Sequence, residues 1–426
     1  MIENIKKVES YNFWNKTPFL GINRKEYVQK LIDYQNSKLI KVLVGQRRVG
    51  KSYILRQYIA HLINQGVNPE NTLYINKEYT DFDFLEKYQD LDVFIKTYID
   101  VKNIKGKIHL FIDEVQRIEN WEKLINSLSQ DYTKEFEIII TGSNSNLLSG
   151  ELSTLLSGRY VQFLVLPLSF EEYVLFNQME TTRTNYLTYL QSGGLPELVH
   201  LPIEETKKHY LGALRDTILL RDIVQRYQIK DTMLLSDVFT YLTNNISNLF
   251  SINNLINYFK SKNRKTNYET LSNYIHYILQ TYVVHKCERY DIKGKEIIAG
   301  NAKYYLNDLS FKNLLYPGFT HGYGYLLENL VYLELLRNGF SPYVGTLKNK
   351  EIDFVALKNG KQLYIQVAFS MTEKDTIDRE YASLLNIKDN YEKWIVSMDE
   401  IPLANREGIK NIQAWELHEK LKNLEL

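Results

Sequence analysis

Residues 45–52 combine the residue types and the spacing that hold the phosphates of a nucleoside triphosphate. They read GQRRVGKS, which fits G-x-x-x-x-G-K-S, and they follow the apolar run LIKVLV. Gly45 and Gly50 permit tight turns that point backbone N–H groups at phosphate oxygens, and Lys51 adds a positive charge. The Ser52 hydroxyl is a suitable Mg²⁺ ligand, and a plain glycine turn is the alternative interpretation. The nucleotide contacts predicted here are Gly45, Gln46, Arg47, Arg48, Val49, Gly50, Lys51, Ser52 and Tyr53.

A second apolar run, KIHLFIDEVQRI, carries two adjacent acids. Its apolar residues predict a buried parallel strand, and Asp113 and Glu114 come at the carboxyl end of that strand, where ligands bind in open α/β sheets. Asp113 is expected to contact the nucleotide site by orienting Mg²⁺, and Glu114 to polarise or deprotonate the attacking water. The pattern therefore predicts an ATPase site with ATP and Mg²⁺ bound, whose metal ligands are Ser52 and Asp113.

Two further residues are candidates for that site. Asn144 ends a third apolar run, EFEIIITGSN, where it would sense the γ-phosphate or position water, although capping of a following helix by Ser143 or Asn144 is the alternative. Arg159, in SGRY, would reach the γ-phosphate of its own or a neighbouring subunit, unless it is a plain surface arginine. The predicted catalytic residues are Glu114, Lys51, Asn144 and Arg159.

The motifs GQRRVGKS, LFIDEVQ, TGSN and SGRY…LPLSFEEY, in this order, resemble those of AAA+-type P-loop ATPases. The resemblance is to the uncharacterised archaeal and bacterial "ATP-binding protein" family, and it covers roughly residues 17–165. It implies a parallel sheet in the strand order 5-1-4-3-2. It also implies nucleotide binding by the glycine-rich loop, a Walker B role for Asp113 and Glu114, and an arginine like Arg24 near the adenine.

The segment at 231–310 gives three helical patterns followed by two strand-like runs, VVHKCERYD and KYYLND. That order is typical of a winged helix, which presents a recognition helix and a β-wing to DNA. Thr266 and Glu269 fit a capping box at the start of the third helix. Protein packing, with the basic residues serving solubility, is the alternative use of such a domain. The candidate DNA contacts are Lys260, Lys262, Arg264 and Lys265.

The C-terminal third contains the helical run GYLLENLVYLELLRNGF and two strand-like runs, KEIDFVALKNG and KQLYIQVAFS. This arrangement resembles the core of PD-(D/E)xK nucleases, in which acids bind metal and a lysine helps to activate water. Matched by position, Glu328 is the helix acid and Asp353 the strand acid, but Gln366 replaces the second acid and Ala368 the lysine. The resemblance implies a restriction-endonuclease-like fold with a degenerate site, in which cleavage is not expected.

The whole chain is thus predicted to be α/β, with a P-loop AAA+-like parallel sheet and a smaller C-terminal α/β domain. The predicted parts are a P-loop ATPase domain at 1–168, a helical lid at 169–230, a winged helix at 231–310 and a degenerate PD-(D/E)xK nuclease-like domain at 311–426. The lid is inferred from helical patterns broken at QSGGLPELV, where two glycines and a proline stop a helix.

Charge and composition restrict partners and location. There are 52 Lys and Arg and 51 Asp and Glu, a net charge of +1, so any DNA-binding surface must be a local patch. One cysteine, no run like a signal peptide and no membrane-spanning run favour the cytoplasm. The expected partners are ATP, DNA through the winged helix, a protein partner and a second copy of this chain, with no membrane.

The predicted function is Mg²⁺-dependent ATP hydrolysis coupled to remodelling of DNA or protein. The alternative is a nucleotide-switched docking module that hydrolyses slowly and does not respond to DNA. A second alternative is a metal-dependent nuclease, which requires Glu328 and Asp353 to act without the lysine.

Overall fold

The computed structural model describes residues 1–144, 156, 158–317, 322–348 and 350–424. The chain divides into two compact units, Met1–Val165 and Leu166–Leu426. Within the described ranges, no helix has both the length and the apolar character needed to cross a membrane.

The first unit is organised around a parallel sheet in the order β2-β3-β4-β1-β5. Its strands are β1 (Ile40–Val44), β2 (Thr72–Asn76), β3 (Ile108–Asp113), β4 (Phe136–Gly142) and β5 (Tyr160–Leu164). β1, β2 and β3 are buried along their whole length, as expected for parallel strands covered on both faces. Read from the opposite edge, the order is 5-1-4-3-2, so the predicted strand order is confirmed.

Helices connect these strands. The described α-helices of this unit are α1 (Ile2–Val8), α2 (Lys25–Asp33), α3 (Lys51–Asn64), α4 (Tyr88–Val101) and α5 (Trp121–Gln130). Short 3₁₀ helices lie at Glu9–Tyr11, Pro69–Asn71, Thr80–Phe82 and Val115–Arg117. The helix expected after Asn144 falls on residues 145–155, which lie outside the described ranges.

The register of the sheet separates its two edges. At the carboxyl edge Val44 pairs with Gly142 and Asn76 with Asp113, so the loops after β1, β2, β3 and β4 meet there. At the amino edge Ile40 pairs with Tyr160. Residues placed just before a strand are therefore separated from the carboxyl edge by the length of that strand.

Four polar side chains are buried near the amino edge. Lys41 Nζ donates to Glu137 Oε1 at 3.0 Å, and the Tyr58 hydroxyl donates to the same oxygen at 3.1 Å. His109 Nδ1 lies 3.3 Å from Glu137 Oε2. Although burial favours the neutral carboxyl, the neighbouring His109 and the charge and hydrogen bond of Lys41 lower the pKa of Glu137 to about 2. Glu137 therefore compensates a lysine charge inside the sheet.

We expect Glu137→Gln to lower the free energy of unfolding by about 3–5 kcal/mol, because it leaves the buried Lys41 ammonium without its carboxylate. The lowered pKa of Glu137 corresponds to about 3 kcal/mol of stability. This stability is fully present above pH 4.5, the pKa in the unfolded chain, and is lost as the pH falls through about 2. The difference in free energy of unfolding between wild type and variant, measured with urea, should therefore disappear as the pH falls from 4.5 to 2.

The matched control for this prediction is Glu135→Gln. Glu135 also pairs with a lysine, with Lys107 Nζ at 2.7 Å, but its side chain is 66% exposed. Exposed pairs contribute at most about 1 kcal/mol. Equal losses in the two variants would contradict the role given to Glu137.

The second unit contains a mixed sheet in the order β12-β11-β10-β9-β8-β6-β7. Its strands are β6 (Val284–Asp291), β7 (Glu296–Leu306), β8 (Ser341–Leu347), β9 (Lys350–Lys358), β10 (Lys361–Ala368), β11 (Glu392–Ser397) and β12 (Ile409–Gln413). β9 and β10 form an antiparallel hairpin, while β10, β11 and β12 are parallel. The predicted tight turn between the two nuclease-like strands is the connection of this hairpin.

Helices precede, interrupt and follow this sheet. The first group is α6 (Phe170–Asn177), α7 (Arg183–Ser192), α8 (Pro196–Val199), α9 (Glu204–Asp216), a π-helix (Thr217–Val224) and α10 (Gln225–Tyr227). The second group is α11 (Thr232–Asn244), α12 (Ile252–Ser261), α13 (Tyr268–Gln280), α14 (Ser310–Leu315), α15 (Tyr323–Arg337), α16 (Lys374–Leu385), a 3₁₀ helix (Ala414–Glu416) and α17 (Leu417–Lys422).

The order of α11, α12, α13, β6 and β7 matches the predicted three helices and two strands. β6 pairs with β8 as well as with β7, so the strands assigned to a wing belong to the same sheet as β9 and β10. The division of the second unit into lid, winged helix and nuclease-like parts stays a prediction.

The predicted capping box at the start of α13 is wrong. The helix begins at Tyr268, and its N-cap is Asn267, whose side chain accepts from the Thr270 N–H at 2.8 Å. The cap must lie directly before the first helical residue, and Asn is a stronger cap than Thr. Thr266 therefore lies one residue too early.

Candidate functional site

The loop after β1 has the backbone form that a phosphate requires. Gly45, Arg48 and Gly50 all have positive φ, at 148°, 68° and 97°. A Cβ at Gly45 would lie 2.3 Å from the Val165 carbonyl oxygen, so only glycine fits there. Gly50 then caps α3, whose first N–H groups have no partner inside the helix and are available to an anion.

Lys51 is the first residue of α3 and its side chain folds back over the loop. Its Nζ donates to the carbonyl oxygens of Gly45 at 2.8 Å and Gln46 at 3.0 Å. Burial lowers the pKa of Lys51, while the negative charges of Glu114 and Asp113 act against that shift. The ammonium thus lies in the phosphate loop, within electrostatic reach of both acids at the end of β3.

Asp113 is buried at the end of β3 among hydrogen-bond donors. The Tyr74 hydroxyl donates to its Oδ2 at 3.0 Å and Asn76 Nδ2 donates at 3.2 Å. Ser52 and Thr141 also hydrogen-bond to the Asp113 carboxylate. Burial raises the pKa of Asp113, and the charge of Glu114 raises it further, so a cation beside it would be stabilised. Ser52 and Asp113 offer adjacent oxygen ligands, which is the donor type that Mg²⁺ requires.

Glu114 is held in a fixed position immediately after β3. Its backbone is left-handed, with φ at 57°, and its N–H donates to Thr141 Oγ1 at 3.1 Å. Its Oε2 accepts from Gln116 Nε2 at 2.6 Å and from Ser143 Oγ at 3.2 Å. Of the third run, Thr141 therefore contacts the backbone of the predicted base and Ser143 contacts its carboxylate. Asn144 is buried in the same loop.

Arg159 is distant from the glycine-rich loop of its own chain. It is exposed, and its carbonyl oxygen accepts from Ile40 N at 2.9 Å at the amino edge of the sheet. β1 has 5 residues, so this edge is about 16 Å from Gly45 at roughly 3.3 Å per residue. A role for Arg159 in a neighbouring copy stays a prediction.

Two other arginines lie at the carboxyl edge, and sequence reasoning assigned them no catalytic part. Glu78 Oε1 accepts from Arg47 NH1 at 3.2 Å and from Arg117 NH2 at 2.9 Å. Arg117 also donates to the Lys77 carbonyl oxygen at 2.9 Å. These contacts join the glycine-rich loop to the loops after β2 and β3. In the sequence, only the short distance of Arg117 from Asp113 and Glu114 indicated that it would lie near the site.

Arg24 lies beside the glycine-rich loop, and its predicted place near the adenine stays a prediction. Its guanidinium donates to the Val49 carbonyl oxygen at 2.8 Å, and its backbone N–H donates to Gln57 Oε1 at 3.0 Å. Gln57 Nε2 in turn donates to the carbonyl oxygens of Leu20 and Ile22. The segment before α2 is therefore tied to α3.

The predicted DNA contacts differ in their surroundings. Lys260, in the last turn of α12, and Lys262 and Lys265, between α12 and α13, are exposed. Arg264 instead forms ion pairs with Asp237 and, at 2.9 Å, with Asp231. Arg264 therefore ties this connection to α11.

The predicted nuclease-like acids do converge, and a lysine from β7 lies among them. Lys303 Nζ is 2.7 Å from Glu351 Oε1, 2.9 Å from Glu328 Oε1 and 3.8 Å from Asp353 Oδ1. Its side chain is only 4% exposed. Although burial opposes protonation, the charges of these acids hold the pKa of Lys303 above its usual value. Burial and the charge of Glu328 raise the pKa of Asp353 to about 8.

Gln366 occupies the matched position, and both ends of its amide are engaged. Its Oε1 accepts from Asp353 N at 2.7 Å, and its Nε2 donates to Glu380 Oε2 at 2.8 Å. Among the described residues there is no group of three or more His, Cys, Asp or Glu arranged to hold a metal ion. Sequence matching missed Lys303 because it lies on a different strand. Its only signal in the sequence was a lysine within the otherwise apolar and aromatic run AKYYL, residues 302–306.

Two family models match this chain. One described as "AAA domain" matches residues 37–174, and one described as "Domain of unknown function (DUF8612)" matches residues 183–319. An uncharacterized protein of Haemophilus influenzae is 38% identical over 395 residues, which is 92% of this chain and 97% of that protein. The uncharacterized protein MJ1544 of Methanocaldococcus jannaschii is 32% identical over 270 residues, which is 61% of this chain and 58% of that protein.

Solved structures are similar at lower identity. The Walker-type ATPase PABY2304 of Pyrococcus abyssi has a TM-score of 0.44 and 15% identity, over 69% of this chain and 95% of that chain. The Aeropyrum pernix ORC1 protein, in complex with DNA, has a TM-score of 0.34 and 11% identity, over 72% of this chain and 95% of that chain. Both scores are below 0.5, so the likeness carries no conclusion about function.

Proposed function

This chain belongs to the same family as the uncharacterized Haemophilus influenzae protein, and its residues 37–174 match the AAA-domain model, so we propose that it hydrolyses ATP to ADP and phosphate with Mg²⁺. The observation that carries the proposal is the contact between the two motifs: Ser52 of the glycine-rich loop hydrogen-bonds to Asp113, beside Glu114. A fold that only bound a phosphate would not need a second, buried acid at this point.

Each residue of the site then has a defined task. The backbone N–H groups of the glycine-rich loop and Lys51 would hold the phosphate oxygens and stabilise the charge that develops on them. Ser52 and Asp113 would hold Mg²⁺, which supplies further charge neutralisation when it is bound. Glu114 would accept a proton from the attacking water.

We further propose that the ATPase acts on DNA, or on protein bound to DNA, in the cytoplasm. The support is the exposed group Lys260, Lys262 and Lys265, which lies directly before α13. Tyr268, 57% exposed, adds an aromatic surface at the start of that helix. Lysines at such a position would contact phosphates, and the ion pairs of Arg264 would keep the segment in place.

The test is steady-state ATP hydrolysis with and without duplex and single-stranded DNA, with Lys51→Ala as the background. We expect DNA to stimulate hydrolysis, and the triple variant Lys260→Ala/Lys262→Ala/Lys265→Ala to lose the stimulation. Its DNA affinity should fall about tenfold or more at low salt, and the slope of log affinity against log salt should decrease by about 1 per lost contact.

The control for the triple variant removes three exposed lysines elsewhere in the same unit, Lys361, Lys374 and Lys388. It changes the net charge equally and should retain stimulation. If both triple variants lose DNA binding alike, the effect belongs to overall charge. Turnover that does not respond to DNA in the wild type would count against the DNA-associated function.

A second candidate function is a nucleotide-switched docking module, which the contacts of Glu78 favour. Its carboxylate holds Arg47 of the glycine-rich loop and Arg117 at the same time. A γ-phosphate oxygen would compete with Glu78 for these guanidinium groups, so ATP and ADP would leave the loop after β2 in different states. This candidate predicts a partner affinity that depends on the nucleotide and slow hydrolysis without DNA.

Nuclease activity is not part of the proposal. Glu328 and Glu351 at the nuclease-like position already pair with Lys303, and the Gln366 oxygen is used by the Asp353 N–H. Mg²⁺- or Mn²⁺-dependent cleavage that disappears in Asp353→Ala would reverse this conclusion.

A further inference from the structure

Gln116 follows Glu114 by two residues, in the 3₁₀ helix that leaves β3. Its Nε2 donates to Glu114 Oε2 at 2.6 Å. An ionised carboxylate can only accept hydrogen bonds, so the nitrogen end of the amide must face Glu114. The position of the other end, Oε1, is thereby fixed.

The Oε1 atom of Gln116 is buried, and no donor from the described part of the chain lies within hydrogen-bond range of it. Buried amide oxygens normally accept a hydrogen bond, so this position calls for an O–H or N–H donor that the described residues do not supply. The donor must be small, and it must lie next to the acid that accepts a proton during hydrolysis.

Other glutamines of this chain show what a purely structural amide looks like. Gln57 and Gln366 are both buried, and in each the oxygen accepts from a backbone N–H while the nitrogen donates to a carbonyl or carboxylate oxygen. In Gln116 only the nitrogen end is used in this way. Ser143 also donates to Glu114. Its hydroxyl hydrogen is used in that contact, so Ser143 is not the donor to Gln116 Oε1.

We propose that Gln116 is a positioning residue for the water that attacks ATP. This inference rests on the proposed ATPase function. Gln116 Oε1 accepts one O–H of the water, and the Glu114 carboxylate accepts the other. The water oxygen then bonds to the γ-phosphorus as the bond from that phosphorus to the β,γ-bridging oxygen breaks. The bond's electron pair leaves on ADP, and the water proton passes to Glu114.

The first test is Gln116→Leu, which keeps the side-chain volume and removes both polar atoms. We expect kcat to fall about 10²-fold, a size typical of lost proton-transfer or water-orienting groups. The KM for ATP and the Kd for ATP should stay within about threefold, because the interaction forms only as water attacks. Gln130→Leu, at an exposed position on α5, is the matched control and should leave kcat unchanged.

The second test separates positioning from a merely structural role. ADP with beryllium fluoride mimics bound ATP, whereas ADP with aluminium fluoride mimics the transition state and includes the in-line water. Gln116→Leu should bind the aluminium fluoride complex at least about tenfold more weakly than wild type does, and the beryllium fluoride complex equally well. Equal weakening of both complexes, or an unchanged kcat, would overturn the proposal.

A different result would contradict the proposed ATPase function itself: wild-type ATP hydrolysis that does not exceed that of Lys51→Ala. In that case the two fluoride complexes still decide the role of Gln116. If only the affinity for the aluminium fluoride complex falls in Gln116→Leu, the result supports water positioning by Gln116. If the variant binds both complexes as the wild type does, the proposal is overturned.

Discussion

Glu114→Gln should lower kcat for ATP hydrolysis by about 10²–10⁴-fold, the range expected when a general base is removed. ATP affinity should remain within a few-fold of wild type, since the phosphates are held by the loop after β1 and by Lys51. The fold should also persist, because a glutamine oxygen at this position can still accept from Gln116 and Ser143. Steady-state hydrolysis and equilibrium ATP binding measure the two effects.

The matched control is Glu119→Gln, an exposed acid further along the same loop. It removes the same charge from the same loop, and hydrolysis should stay close to the wild-type rate. A Glu114→Gln variant that hydrolyses ATP at the wild-type rate would remove Glu114 from the mechanism. Loss of ATP binding in this variant would instead indicate that Glu114 supports the loop.

Lys303→Met should lower the free energy of unfolding by about 3–5 kcal/mol at pH 7, because it leaves the buried Glu328 carboxyl without its counter-charge. Glu328 and Asp353 both lie beside the ammonium, and neither is exposed. Urea unfolding of the full chain, followed by circular dichroism, measures the loss. Lys361→Met, at an exposed position on β10, is the control and should change stability by less than about 1 kcal/mol.

The pH dependence of this variant has a definite sign. Burial and the charge of Glu328 already raise the pKa of Asp353 to about 8 in the wild type, above its unfolded value of 3.8. When folding raises the pKa of a carboxyl, the protein loses stability as the pH rises from the pKa in the unfolded chain to the pKa in the folded protein. Without Lys303 the pKa of Asp353 should rise further, so its contribution to the difference between wild type and variant should appear as the pH rises above about 8, where the wild-type carboxyl ionises.

A second substitution checks the cause of that loss. Lys303→Met/Asp353→Asn removes a carboxyl that would ionise beside the missing ammonium, and it should recover part of the stability above about pH 8. A loss that is independent of pH and unaffected by Asp353→Asn would mean that the methionine fails to pack, and the counter-charge argument would then be wrong. With the expected losses, the role of these buried charges is to stabilise the second unit itself.

The order of chemical motifs could be predicted because each depends on local sequence. Gly45 and Gly50 set positive φ values in one loop, and Asp113 and Glu114 directly follow an apolar strand. In a parallel sheet the ends of such strands meet at one edge, so these residues were expected to lie together. The resemblance to a known family then supplied the strand order, which the structure confirms.

Contacts between residues distant in sequence could not be predicted in this way. Arg264 resembled the lysines beside it, but Asp231 and Asp237 on another helix engage its guanidinium. Arg159 looked suitable for the γ-phosphate, yet the parallel pairing of β5 with β1 puts it at the opposite edge of the sheet. Neither pairing can be recognised from the sequence next to the residue concerned.

The sequence by itself determined the phosphate loop, the acids after β3 and the acids of the nuclease-like region, because turn geometry and strand burial act over a few neighbouring residues. Only the tertiary structure decided which groups those acids contact. Lys303 reaches Glu328 and Asp353 from another strand, and Ser143 reaches Glu114 from the end of β4. Electrostatic pairing depends on distance in space, and distance in space is set by the packing of the whole sheet.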